Sequence, residues 1–278
     1  MKGLDMGRDD ADYGAGREVG AMVQDQGGGG GYLVLNGGQP CLACPLADCE
    51  ALHQPPADVR QWIAAFRHGE MRFTRGEQVF AQGTRPTFLY TVLSGVLMRT
   101  RLLEDGRRQI INFMFPGDFL GLQAALDAEM SHTVEALTNA TLCTFVREKF
   151  FDLVAQQPRL SFDLTWLAAH EEAALEEHLV SLGQRNARER MAALAVFLVQ
   201  RGIDTGIAPG GVLTLTVTQG QIADMLGLSL VHTNRTLQTL RRMGLVDWNL
   251  STISVPNIAA AKAYAKIDGS AFLSRPYI

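Results

Sequence analysis

Two sets of side chains in this 278-residue chain have the types and spacing to do chemistry. The first is the run CLACPLADC, where Cys41, Cys44 and Cys49 fall within nine residues of a chain that holds four cysteines in all. A C-x-x-C pair lets both sulfurs face one point, and Cys49 is near enough along a loop to act as a third ligand, so the run points to metal ligation. Structural zinc is one such use, since three Cys and one further ligand form a familiar zinc set. Thiol exchange through the C-x-x-C is the rival chemistry, but no strand precedes it and no βαβ pattern surrounds it. The fourth thiol, Cys143, lies in the strand-like TLCTF. Taken alone it reads as a buried core thiol, because free cysteine is among the most buried residue types.

The second set lies in TQGQIADMLGLSLVHTNRTLQTLRR, residues 218–242. Ile222, Met225 and Leu226 recur at helical spacing, Gly227 can turn the chain at low steric cost, and Ser229 can cap a second helix. That second helix is expected to bury Leu230, Thr233, Leu237 and Leu240. Its other face carries Val231, Asn234, Arg235 and Gln238, with His232 beside them, near the helix start. An α-helix fits the major groove of DNA, where Arg and Asn can pair bidentately with base edges. The plainer reading is a helical hairpin with a solvated polar face. The short turn, the cap, and the wing-like pair 244–246 and 251–255 favour DNA binding.

These residues need elements to position them. Residues 1–40 are polar and glycine-rich and are expected to be mobile, having too little apolar surface to offset the entropy of ordering. The cysteine-rich segment, 41–55, leads into a short helix over 57–68. The period then changes from about 3.6 to about 2. Runs at 88–93, 96–102, 109–115, 133–137 and 142–146 read as strands between the turns Ser94-Gly95, Asp105-Gly106 and Pro116-Gly117-Asp118. They predict a β-roll, or jelly-roll, over 56–157. A short helix at 148–156 precedes an uninterrupted helical pattern at 159–182. Its apolar seam, with Leu175, Leu179 and Leu182, has no cover within a small β domain, so the helix of 158–183 is expected to pair with its own copy. Glu171 and Glu172 lie in or beside that seam. They are either a solvated acidic face or a source of repulsion that keeps the dimer marginal. Residues 184–258, with a supporting helix at 186–200, form the predicted winged helix-turn-helix. The tail 259–278 starts helical and has no assigned role. The fold class is α+β.

Composition agrees with this division. Length suggests about two domains, and 47% hydrophobic residues suffice for packed cores. The net charge of −4 is uneven: residues 184–256 carry +3 and the remainder −7. The predicted DNA-binding part is therefore the locally basic one. No apolar run reaches the 18 or so residues needed to span a membrane, and the first residues lack the apolar core of a secretory signal. A cytoplasmic protein without membrane contact is expected, and in that compartment clustered thiols bind metals or react more often than they form disulfides.

The stretches LYTVLSGVL, DGRRQIINFMFPGDFLGLQ, RNARERMAAL and the helix-turn-helix segment, in this order, resemble the CRP/FNR family of bacterial transcription regulators over about 41–257. The resemblance implies a homodimer that binds palindromic double-stranded DNA and meets RNA polymerase. Cyclic-nucleotide members keep a Glu after the PGD turn and an Arg-Ser pair about ten residues later. Here those positions read Gly121-Leu122-Gln123 and Ser131-His132, so cyclic AMP is not the expected signal. The oxygen-sensing FNR branch holds a 4Fe-4S cluster on three N-terminal cysteines and one β-roll cysteine. Cys41, Cys44, Cys49 and Cys143 match those four, although Cys44 and Cys49 stand one residue closer than in the best-known type. Alternatives within the family sense haem or nitric oxide, with the cysteines binding zinc or acting as redox thiols. In the DNA-reading helix the pattern E-x-x-S-R becomes Val231-His232-Thr233-Asn234-Arg235, so only Arg235 carries over. Arg235 is expected to read a guanine, Val231 to touch a thymine methyl, and Asn234 to be a second reader.

Overall fold

The computed structural model describes residues 20–24, 30–34, 41–126, 128–267 and 275–278. Two strands, β1 (Gly20–Gln24) and β2 (Gly30–Val34), form a hairpin that adds to the edge of a larger sheet. This corrects the expectation of a mobile arm for those ten residues; the rest of 1–40 lies outside the described residues. After the cysteines come β3 (Leu52–His53) and α1 (Ala57–Phe66), which buries Val59 and Ile63.

The β-roll follows: β4 (Gly69–Phe73), β5 (Gln78–Phe80), β6 (Phe88–Ser94), β7 (Leu97–Leu102), β8 (Arg108–Met114), β9 (Phe119–Leu120), the single turn of α2 (Leu122–Ala125), β10 (Thr133–Ala136) and β11 (Ala140–Val146). A six-stranded sheet, β1-β2-β4-β11-β6-β9, packs against a four-stranded one, β5-β10-β7-β8. Met71, Phe80, Tyr90, Val92 and Leu97 fill the space between them. Gly95 turns β6 into β7 at φ +87, and a Cβ there would strike the Asn139 carbonyl, so glycine is required twice over.

A 3-10 turn and α3 (Phe150–Gln156) lead into α4 (Pro158–Gln184), 27 residues long, or about 40 Å at about 1.5 Å per residue. Leu160, Leu164 and Leu167 bury the first half of α4 against the cysteine-bearing part of the β-roll. Beyond Leu167 almost every side chain is half-exposed or more, including Leu175, Leu179 and Val180; Ser181 is the exception.

The C-terminal unit contains α5 (Ala187–Asp204), β12 (Val212–Thr214), α6 (Gln219–Leu226), α7 (Leu230–Arg242), β13 (Asp247–Trp248), β14 (Thr252–Ser254) and α8 (Ile258–Ala265). The wing is three-stranded, β12-β14-β13, not the predicted pair. A strand of residues preceding the helix-turn-helix supplies the extra member, and one strand is too short to show a period in the sequence. Met98, Ile110 and Phe113 of the β-roll share one apolar cluster with Leu194, Leu198, Ile222 and Leu240. Arg108 adds an ion pair to Asp224 of α6 at 2.7 Å. Finally β15 (Arg275–Pro276) returns to pair with β3 in parallel.

Candidate cysteine centre and nucleic-acid interface

CLACPLADC folds as two 3-10 turns, Cys41–Ala43 and Pro45–Asp48, rather than as an open loop. Pro45 starts the second turn and holds Cys44 in an extended conformation, φ −60 and ψ 130. The Cys49 N–H closes that turn on the Leu46 carbonyl at 3.3 Å, and Leu46 is buried beneath it. Cys143 sits in mid-β11, opposite Glu70 of β4 on one side and Thr91 of β6 on the other. Cys41, Cys44 and Cys143 line one cavity with Arg60, Arg67 and Tyr277. Cys49 packs on the same apolar cluster, but its thiol donates to the Thr205 carbonyl at 3.5 Å instead of facing the cavity. Among the described residues no three His, Cys, Asp or Glu side chains stand close enough to hold one metal ion as they lie.

The electrostatics favour neutral thiols here. Burial pushes Cys143 up to about 12, despite the opposing Arg67 charge. Cys44 is raised by burial, as is Cys49, with Asp48 adding to the latter. Arg67 lies over the cluster, its Nη1 donating to the Cys41 sulfur at 3.9 Å while Nη2 pairs with Glu70 at 3.2 Å. Burial, then the neighbouring Cys44, raises the Tyr277 phenol above its ordinary value. Tyr277, Ile278, Arg60 and Arg67 were not singled out from the sequence. The only local signal at the tail is its apolar end, Pro276-Tyr277-Ile278, after the mixed stretch DGSAFLSR.

At the positions where cyclic-nucleotide binders carry their phosphate-binding pair, the Gln123 Oε1 accepts from both the N–H and the hydroxyl of Ser131 at 3.0 Å. His132 is buried against the Phe80 ring. Burial, aided by Arg99, lowers its pKa to about 3, so it is neutral at ordinary pH.

In the helix-turn-helix, Thr218 and Gln221 form a reciprocal capping box at the start of α6. Gly227 ends α6 at φ 64, and the Ser229 side chain accepts from the His232 N–H to start α7. Thr233, Thr236 and Leu240 are the buried residues of α7, with Leu237 partly buried. Leu230 is 58% exposed, a correction to the predicted core face. It stands in the first turn of α7, and Thr236 is buried instead. Val231, His232, Arg235 and Gln238 are exposed, and Asn234 is half-buried. Gln238 donates to Asn234 at 2.8 Å, which in turn donates to Gln219 at 3.4 Å. A groove runs from this face to the capped start of α5, bordered by Asn186, Arg188, Ser229 and Arg235. The regional charge is less available than its count implies: Arg185 pairs with Glu177, Arg201 with Asp118 and Arg241 with Asp247.

On α4, Glu171 accepts from Asn112 at 2.8 Å and pairs with Arg99, tying the helix to the β-roll. Glu172 is exposed. Leu182 is only partly exposed, whereas the unforeseen Val180 is 49% exposed.

A β-sandwich domain, a long helix and a winged helix-turn-helix are the architecture of a DNA-binding transcription regulator. Residues 70–157 match the cyclic nucleotide-binding domain family and residues 189–264 the Crp-like helix-turn-helix domain family. The nitrogen fixation regulation protein FixK of Bradyrhizobium diazoefficiens is 32% identical over 84% of this chain and 97% of that protein. The transcriptional activator protein FnrL of Cereibacter sphaeroides is 29% identical over 74% of this chain and 83% of that protein. The structure of FixK2 from Bradyrhizobium japonicum superposes with a TM-score of 0.63 at 25% identity, over 73% of this chain and 98% of that one. The chain belongs to the CRP/FNR family of transcription regulators.

Proposed function

We propose that this regulator acts as a cytoplasmic homodimer on palindromic DNA and is controlled by an oxygen- or redox-labile 4Fe-4S cluster held by Cys41, Cys44, Cys49 and Cys143. The observation that carries the reading is the meeting of Cys41 and Cys44 with Cys143, a thiol from a distant part of the chain, around one cavity, with Cys49 on the same apolar cluster. Soft thiolates suit such a group. A cluster also distributes its ligands over several iron atoms, so thiols too far apart for one ion can still serve. When bound, the cluster would supply an oxygen-sensitive link between the N-terminal segment and the β-roll. Arg67 stands where it would offset the negative charge of the thiolates. Relatives named "Anaerobic regulatory protein", such as that of Aggregatibacter actinomycetemcomitans, support the signal.

The thiol-redox alternative is weaker on physical grounds. A reactive cysteine needs a lowered pKa, and burial raises Cys44, Cys49 and Cys143. Cyclic AMP is also disfavoured, because a neutral, buried His132 offers a phosphate no charge. The exposed Leu175, Leu179 and Val180 support a dimer through the second half of α4. A dimer would set two copies of α7 on half-sites about 34 Å apart, with Val231, His232, Asn234, Arg235 and Gln238 toward the bases and Arg188 toward a phosphate. RNA polymerase is the expected partner of the assembled complex.

Cys41→Ala and Cys143→Ala proteins, purified without oxygen, should both be colourless and bind DNA weakly, and the double variant should be no worse. Additive losses would mean that the cysteines do not act as one unit. Cys49→Ala decides the shortened spacing: full iron and sulfide content in that variant would exclude Cys49 as a ligand.

A further inference from the structure

The cavity of the cysteine centre has a wall that comes from the far end of the chain. Arg275 and Pro276 pair in parallel with Leu52 and His53, just beyond the cysteine turns, and the Arg275 N–H donates to the Ala51 carbonyl at 3.0 Å. The Thr91 hydroxyl donates to the Ile278 carbonyl, and Thr91 is the residue opposite Cys143 in the sheet. The segment is thus anchored on both sides of the thiols. Tyr277 and Ile278, each 5% exposed, close the cavity between these anchors. The Tyr277 hydroxyl is buried and has no hydrogen-bond partner among the described residues, although buried tyrosine hydroxyls ordinarily find one. Tyr277 shares the cavity lining with Cys41, Cys44, Cys143 and Arg60, and a neutral thiol sulfur is only a weak acceptor for a phenol O–H, whereas a thiolate or sulfide is a strong one.

The same segment is tied to the DNA-binding unit. Arg275 Nη2 pairs with Asp118 at 2.8 Å, and Arg201 of α5 pairs with the same carboxylate oxygen at 2.7 Å. The Asp118 Oδ2 accepts from the Phe115 N–H in the PGD turn at 2.8 Å. One buried carboxylate therefore joins the β-roll, the supporting helix of the DNA-binding unit and the wall of the cysteine cavity.

We propose that residues 275–278 form the outer wall of the cysteine centre and that Tyr277 is a positioning residue, its hydroxyl donating to a sulfur of the thiolate-held metal–sulfur group. This rests on the cluster reading above. A hydrogen bond to such a sulfur stabilises the more negative state and so raises the reduction potential, while the ring and Ile278 keep water and oxygen out.

Tyr277→Phe keeps the ring and removes only the donor; Tyr277→Ala opens the wall. Three quantities are read: iron and sulfide content with the reduction potential in anaerobic protein, the rate of bleaching in air, and the rate of iodoacetamide labelling of Cys41 and Cys44 in reduced, metal-free protein. Tyr277→Phe should hold iron and sulfide, label like wild type, and show a lower potential with faster bleaching. Tyr277→Ala should label several-fold faster at both cysteines. Wild-type potential and bleaching in a Tyr277→Phe protein that carries iron and sulfide would overturn the hydroxyl's role alone. Wild-type labelling in Tyr277→Ala would overturn the wall. Wild-type protein without iron and sulfide would overturn the cluster reading and the hydroxyl's role with it, leaving the labelling to decide the wall.

Discussion

The proposed DNA-reading face of α7 is built from one helix, whereas the cysteine centre draws on the turns at 41–49, mid-strand β11, α1 and the returning tail. On α7, side chains three and four apart face outward from a helix capped at its start and buried along its inner side. Geometry there is set locally, and most of the proposed DNA-reading side chains are exposed. At the cysteines, only the turns and α1 are near one another in sequence, and what holds the stretches together is tertiary: the Leu46 anchor, the β3–β15 pairing and the Asp118 ion pairs. A locally built site tolerates change elsewhere in the molecule. A site assembled from afar reports such change, which suits it to sensing.

Substitutions can break or sharpen this contrast. The largest effect is expected at Asp118, because removing one member of a buried ion-pair network leaves the others uncompensated, at about 3–5 kcal/mol. Asp118→Asn should lose roughly that much in urea unfolding; a loss below about 1 kcal/mol would mean that solvent screens the pairs. Burial alone would raise the Asp118 pKa, but Arg201 and Arg275 overcome it and hold the carboxyl below its ordinary value. Its contribution is therefore complete above the unfolded carboxyl pKa of about 3.9 and fades as pH falls through the lower folded value. Asp118→Asn protein should lack that acid dependence.

Next come the two leucines of α7. Leu240→Ala should cost about 2–5 kcal/mol of stability, since Leu240 is fully buried. Leu230→Ala, at an exposed position, should stay within about 0.5 kcal/mol. Equal losses would restore Leu230 to the core face and argue against the observed docking of α7. A further effect, smaller than those at Asp118 and Leu240, is on DNA. Arg235→Ala should weaken the preferred site by about 1–3 kcal/mol and blunt discrimination at one base pair, measured by titration against single-base variants of that site. Uniform weakening on all sequences would make Arg235 a phosphate contact instead.

The same contrast explains what could be read in the sequence. The helix-turn-helix was legible because Ile222, Met225 and Leu226, the αL Gly227 and the Ser229 cap are local signals. The β-roll was legible from its turns, and α4 from its length. Leu230 misled because helical spacing shows which residues share a face but not how far along the helix that face is covered. Thr236, which takes its place, looks polar in sequence although it is buried. Cys143 entered the site only through resemblance, since a lone thiol on a strand carries no signal of its own. Tyr277 and Arg275 were invisible, because nothing near them in sequence indicates that the tail returns to β3. Glu171 read as either a solvated or a repelling charge because its partners, Arg99 and Asn112, sit on the remote β7 and β8.

The central claim is that the four cysteines hold a labile iron–sulfur group that governs DNA binding. Protein purified without oxygen should show a broad brown absorption band and contain iron with acid-labile sulfide. A brief exposure to air should remove the band and the affinity for palindromic DNA together. A sharp Soret band, or zinc without sulfide, would contradict the account, as would a loss of colour that leaves DNA affinity unchanged.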